Sequence, residues 1–172
     1  VMGLFDGVDG RRPAGSSADL AHLLGLPVVL VVDARAMARS AAALVHGFAN
    51  FDPRVHLAGV IWNRVGSPSH RRILDEALED KGLPPSFGAV PREAAAALPE
   101  RHLGLVTPED AHLPPDLEAR LARLAEDHLD IGALLDATAD RCLREQAASP
   151  APPPRGPCPR RIGVARDAAF CF

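Results

Sequence analysis

The stretch "LPVVLVVDA" at 26–34 limits this chain more than any other feature. It is a continuous run of β-branched and apolar residues ending in Asp33, with no polar alternation. Such a run suits a central strand of a parallel sheet, covered on both faces. "VHLAGVIWNRVGS" predicts a second buried strand ending at Asn63, and "PSFGAVPRE" a short third one over Phe87 to Val90, ending at Pro91-Arg92. Between them lie "RAMARSAAALVHGFANF", helical in composition, and "SHRRILDEALEDKG", an amphipathic helix closed by Gly82. Strands alternating with helices predict an α/β fold with a parallel sheet and right-handed crossovers.

Upstream, "SSADLAHLLG" predicts a helix capped by Ser16 or Ser17 and stopped by Gly25, with an apolar face of Leu20, Leu23 and Leu24. The opening "VMGLFDGVDG" predicts a short strand, Val1 to Phe5, that delivers Asp6 and Asp9 into a glycine-rich loop. Downstream, "LPERHLGLVTPED" is irregular, and residues 113–146 are helical in composition with a break near Asp130 to Gly132. Proline and small residues dominate 147–160, an expected interdomain linker. "RIGVARDAAFCF" at 161–172 then reads as a new strand and its loop. The expected organisation is a unit over 1–146, a linker over 147–160 and the start of a second domain over 161–172, with both ends reading as cut.

A formal charge of -3 offers no attraction for nucleic acid or an anionic membrane. No apolar run reaches the ~18 residues of a membrane span, and no signal segment opens the chain. Cys142, Cys158 and Cys171 follow no metal spacing and read as reduced thiols of a cytoplasmic protein.

Ligands of a parallel α/β sheet bind beyond the carboxyl ends of its strands. Asp6, Asp33, Asn63 and Arg92 are expected at such ends. Each has a plainer reading. Asp6 and Asp9 suit a turn, Asp33 a helix cap, Asn63 an Asx turn and Arg92 a solvated surface. His102 suits a packed histidine. No Ser/His/Asp or Cys/His order is readable, and the phosphate-cradling GxxxxGK[ST] loop does not occur.

"VMGLFDG", "GSSADLAHLLGLPVVLVVDA", "GVIWNRVGSPSH", "GAVPR", "LPERHLGLVTPED" and "RIGVARDAAFCF" follow one another in a single order. In this the chain resembles the cobyrinic acid a,c-diamide synthase family, called hydrogenobyrinic acid a,c-diamide synthase in the aerobic cobalamin pathway. The resemblance implies a sheet of the P-loop NTPase or dethiobiotin synthetase-like type, incomplete, with its N-terminal strands and P-loop absent. Residues 1–146 would be the C-terminal part of an ATP-dependent synthetase domain, and 161–172 the first strand of a truncated class I glutaminase domain.

The implied activity is that of a C–N bond-forming ligase. ATP and Mg2+ would activate the a and c acetate carboxylates of a corrinoid, cobyrinic or hydrogenobyrinic acid, as acyl phosphates. Glutamine or ammonia would supply the nitrogen. By position, Asp6 matches the acidic residue beside the metal and the reacting carboxylate, Asn63 the reader of the adenine edge, and Pro91 and Arg92 the loop over the base. Asp9, Arg101 and His102 are substrate-side candidates, and Asp33 is either structural or a support behind the residues that touch the ligands. A homodimer is among the assemblies the resemblance admits. The 172 residues alone are expected to be inactive. The alternatives are a related tetrapyrrole amidotransferase such as cobyric acid synthase, and a non-catalytic partitioning-type ATPase of the same fold.

Overall fold

A computed structural model describes residues 3–92 and 115–139. Three parallel strands form its centre, β1 (Val28–Asp33), β2 (Leu57–Val65) and β3 (Ser86–Pro91), in the order β1-β2-β3. Helix α1 (Ser17–Leu24) precedes β1, α2 (Arg39–Phe51) joins β1 to β2, and α3 (Pro68–Glu79) joins β2 to β3. Helices α4 (Leu117–His128) and α5 (Ile131–Ala139) follow. The α/β architecture and all three strands stand where periodicity places them, each within a few residues.

The core lies between the sheet and helices α2 and α3. Val32 of β1, Val60 and Trp62 of β2 and Ala89 of β3 meet Ala41, Ala42 and Val45 of α2 and Leu74, Ala77 and Leu78 of α3. Trp62 is fully buried, and its indole Nε1–H donates to Asp75 Oδ1 of α3 at 2.9 Å. An indole nitrogen sealed in a core needs such a partner, so this bond sets how α3 sits on β2.

Three sequence expectations are corrected. The run 26–34 forms β1, but among the described residues β1 pairs on one side only, with β2, and so stands at the edge of the described sheet. Val31 is 61% exposed because no described element covers that face. An apolar run states that a strand can be buried, not which neighbours it has. The expected strand over Val1 to Phe5 is absent from its described part, residues 3–5, which form a turn. There Asp6 N–H donates to Gly3 O at 3.2 Å and Gly3 N–H donates to Asp6 Oδ2 at 2.6 Å. The short acidic side chain captures the backbone before a strand ladder can. Finally, α1 is capped by Ser16, whose Oγ accepts Asp19 N–H, and is stopped by Gly25 with φ +65, as expected. Its expected apolar face is nevertheless exposed at Leu20, Leu23 and Leu24, and Ala18 is the residue it buries. The helix is tethered through its first turn, where Ala18 N–H donates to Leu4 O.

The expected break after α4 falls at Leu129–Asp130, and the sheet is its cause. Leu129 makes an antiparallel bridge to Gly88 of β3, and Asp130 N–H donates to Phe87 O at 2.7 Å. Asp130 Oδ1 then accepts Ala133 N–H at 2.8 Å and starts α5. Gly88 has φ +143, and a Cβ there would meet His128 O and Leu129. Only glycine permits that approach. The linker 147–160, the segment 161–172, the three cysteines, Arg101 and His102 lie outside the described residues. No helix among the described residues is long and apolar enough to cross a membrane.

Asp75→Ala would strand the indole N–H of Trp62, the single tryptophan of the chain. It is expected to cost about 1–3 kcal/mol, read by denaturant unfolding followed through tryptophan fluorescence, with Asp75→Asn costing less. At the start of the α2–β2 turn, Arg54 holds Asp52 through its guanidinium and its backbone N–H, lowering the Asp52 pKa to about 2. A depressed carboxylate stabilises the fold above its unfolded pKa and loses that contribution as pH falls through the folded value. Carboxyl NMR titration should therefore place the Asp52 midpoint near 2, and Arg54→Ala should return it towards the ordinary aspartate range.

Candidate functional site at the carboxyl ends of the strands

The parallel ladder carries the chemistry-bearing residues to one end of the sheet. Asp33, the last residue of β1, is in register with Asn63 of β2, and Val65 of β2 with Pro91, the last residue of β3. Arg92 follows directly and is exposed. Of the four residues expected at strand ends, Asp33 closes β1, Arg92 follows β3 beside Pro91, and Asn63 lies two residues before the end of β2, in register with Asp33.

Asp6 does not join them. Its neighbour Phe5 packs against Phe48 and Phe51, with ring centroids 5.8 and 4.6 Å away. Those rings sit at the C-terminal end of α2, which returns the chain to the amino ends of the strands. Asp6 and Asn63 therefore lie towards opposite ends of the sheet. The strand that was to carry Asp6 to a carboxyl end is a turn, and aromatic packing seats that turn elsewhere. Asp9 is a turn residue: its carboxylate accepts from Arg11 N–H, Arg12 N–H and the Arg12 guanidinium. The Arg12 guanidinium foremost, then the two backbone donors, hold its pKa below the ordinary value.

Asp33 does not cap the following helix either; α2 starts at Ala38 with no side-chain cap. Asp33 Oδ1 instead accepts Arg35 N–H at 3.0 Å, and Oδ2 accepts from the Arg64 guanidinium at 3.0 Å. The Arg35 N–H is the main cause that lowers its pKa, helped by the charges of Arg64 and Arg35. Arg64 reaches Asp33 because the β2 register breaks between Trp62 and Val65 and Arg64 takes φ +59. A left-handed arginine is strained, and Asn63 Oδ1 accepting its N–H at 2.9 Å helps to hold it. Ala36, in the loop after β1, also has positive φ, +57. Both strained non-glycine residues among those described flank this end of the sheet.

One residue here went unassigned from sequence. His70, in the first turn of α3, accepts Gly66 N–H on Nδ1 at 3.1 Å, and its Nε2 lies 2.6 Å from Met37 O. An imidazole that accepts on Nδ1 carries its proton on Nε2, so Nε2–H donates to Met37. The readable signal was the spacing. Ser67 caps α3 by accepting His70 N–H, and a side chain three residues beyond a capping serine can reach back across the helix start.

Asn63 has the functional groups to read a heterocycle edge. Its Nδ2 can donate, and its Oδ1, with one accepted bond, retains a second lone pair. For a metal, no group of three or more His, Cys, Asp or Glu side chains that could hold an ion occurs among the described residues.

The Asp33–Arg64 pair is open to solvent, at 43% and 45% side-chain exposure, so its contribution to stability is small. Asp33→Asn is expected to leave the denaturant midpoint of unfolding essentially unchanged. The Asp33 carboxyl should titrate below the ordinary aspartate range in NMR, and Arg35 and Arg64 are released only as pH falls through that lowered value.

The chain is 49% identical over 172 residues to a cobyrinate a,c-diamide synthase of Syntrophotalea carbinolica and 46% identical over 173 to one of Gloeobacter violaceus. It is 50% identical over 174 residues to a hydrogenobyrinate a,c-diamide synthase of Brucella ovis. Each match takes in 100% of this chain and 37%, 37% and 38% of the relative. No family model matches the chain. No solved structure matches it. The chain thus spans under two-fifths of the length of these relatives, and along all of its own length it is similar to cobyrinate and hydrogenobyrinate a,c-diamide synthases.

Proposed function

We propose that this chain is the nucleotide-side half of a synthetase domain that amidates the a and c acetate carboxylates of cobyrinic or hydrogenobyrinic acid, a step of cobalamin biosynthesis. The observation that carries this reading is similarity to named a,c-diamide synthases over all 172 residues. The parallel sheet supports it, because its register gathers Asp33, Asn63, Arg64, Pro91 and Arg92 at the end where such sheets bind ligands.

ATP would supply a phosphoryl group to activate each carboxylate, and ammonia drawn from glutamine would displace it. The chain's own part is to hold and orient. Asn63 presents the donor and acceptor pair that an adenine edge requires. Pro91 and Arg92 follow the end of β3 and would flank the base. Arg64 stays neutralised by Asp33, so its guanidinium orients the strand end rather than drawing phosphate. Asp6 is an exposed carboxylate of the right donor type for Mg2+, an ion that takes one or two carboxylates and completes its shell with water and phosphate. Its place at the other end of the sheet means that no step is assigned to it in this arrangement.

Calorimetric titration with ADP tests the reading. Asn63→Ala is expected to weaken binding about ten-fold, the worth of a lost hydrogen-bonding pair, while Asp9→Ala leaves it unchanged. An unaltered affinity in the Asn63 variant would remove the adenine-reading role. The 172 residues contain no GxxxxGK[ST] loop, so mass spectrometry should detect no ATP-dependent amidation of either acid by this chain alone.

A further inference from the structure

We infer that His70 is a positioning residue that clamps the loop after β1 to the loop after β2 and so holds Asp33, Asn63 and Arg64 in place. The inference rests on the proposed nucleotide role of these strand ends for its consequence, but not for its geometry.

Bonds form a closed circuit around the Asp33–Arg64 pair. Ala34 N–H donates to Asn63 O at 2.9 Å, and Met37 N–H donates to Ala34 O at 3.0 Å. His70 Nε2–H donates to Met37 O, and His70 Nδ1 accepts the N–H of Gly66, two residues beyond Arg64. One imidazole therefore spends both nitrogens on two backbone segments 29 residues apart in sequence, Met37 and Gly66. Neither bond belongs to a helix or strand ladder.

The strain explains why a clamp is needed there. Ala36 is adjacent to Met37 and Arg64 is two residues from Gly66, and both hold left-handed φ values that a free loop of such residues abandons. Such conformations persist only where the surroundings over-determine them. His70 supplies a fixed point on each loop from the rigid first turn of α3, which Ser67 caps. Asn63 and Arg64 sit on the strained side of one fixed point, and Asp33 just ahead of the other.

Three variants separate the two bonds. Asparagine can reach Gly66 but not Met37, glutamine can reach Met37 but not Gly66, and phenylalanine keeps the ring volume and makes neither bond. The readouts are backbone amide shifts of the whole chain by NMR, the ring tautomer by long-range 15N correlation, and the dissociation constant for ADP. Wild-type His70 should show the Nε2–H tautomer. His70→Phe should move the amides of Arg35 and Met37 as well as those of Arg64 and Gly66, and weaken ADP about ten-fold. His70→Asn should restore the second pair and His70→Gln the first. An Nδ1–H tautomer, or a His70→Phe variant whose post-β1 amides stay in place, would overturn the clamp. If His70→Phe fails to fold, the opposite restorations in the asparagine and glutamine variants decide, and identical spectra for the two would overturn it. If wild-type protein binds no ADP, the nucleotide reading falls, and the amide pattern still decides the clamp.

Discussion

The bond from the Trp62 indole to Asp75 is the constraint on which the rest of the structure depends. Side chains alternate faces along a strand, so a single position that must face the core assigns every other position on β2. With Trp62 sealed against α3, Val60 shares its face. Asn63, next in the chain, is turned out of that core at the strand end. A slip of one residue would expose the largest side chain of the sheet, break its bond to Asp75 and drive Asn63 inward. β2 is also the central strand, so its register sets that of β1 and β3. The alignment of Asp33 with Asn63 is inherited from a packing decision on the other face of the strand.

The end of the sheet then departs from regularity in a way the core does not. Below it the ladder is parallel and the apolar residues are close-packed. At it, the β2 register breaks, two non-glycine residues take left-handed backbone, and side chains rather than ladders satisfy the loop amides. Strain of this kind concentrates where a fold positions groups for a ligand. The opposite end of the molecule behaves differently. There Phe5, Phe48 and Phe51 gather, and the leucines of α1 stay open to solvent.

Much of this was legible in the chain itself. The strands around Leu30, Trp62 and Ala89, the caps at Ser16 and Gly25, and the break after His128 all follow from local patterns that need no partner to be read. The motif order that carries the family is equally a property of the sequence. The site was legible only in part. Asn63 and Arg92 stood out because they end apolar runs. His70 did not, because a histidine in an amphipathic helix carries no mark of the two loops that its ring will touch.

What the sequence determined alone was the three strands, the helices between and after them and the caps at their ends, since these rest on short-range sterics, capping and periodic burial. The tertiary structure decided the rest. Among the described residues it put an apolar run at the edge of the sheet, because sheet order depends on neighbours far along the chain. It sent Asp6 away from Asn63, because a carboxylate took Gly3's amide and Phe5 found rings at the end of α2. It joined Asp33 to Arg64 and Met37 to Gly66 through His70. The Asp33–Arg64 and Met37–His70 bonds and the Phe5 ring contacts link residues distant in sequence, and only folding, which closes the loops between them, brings them within reach.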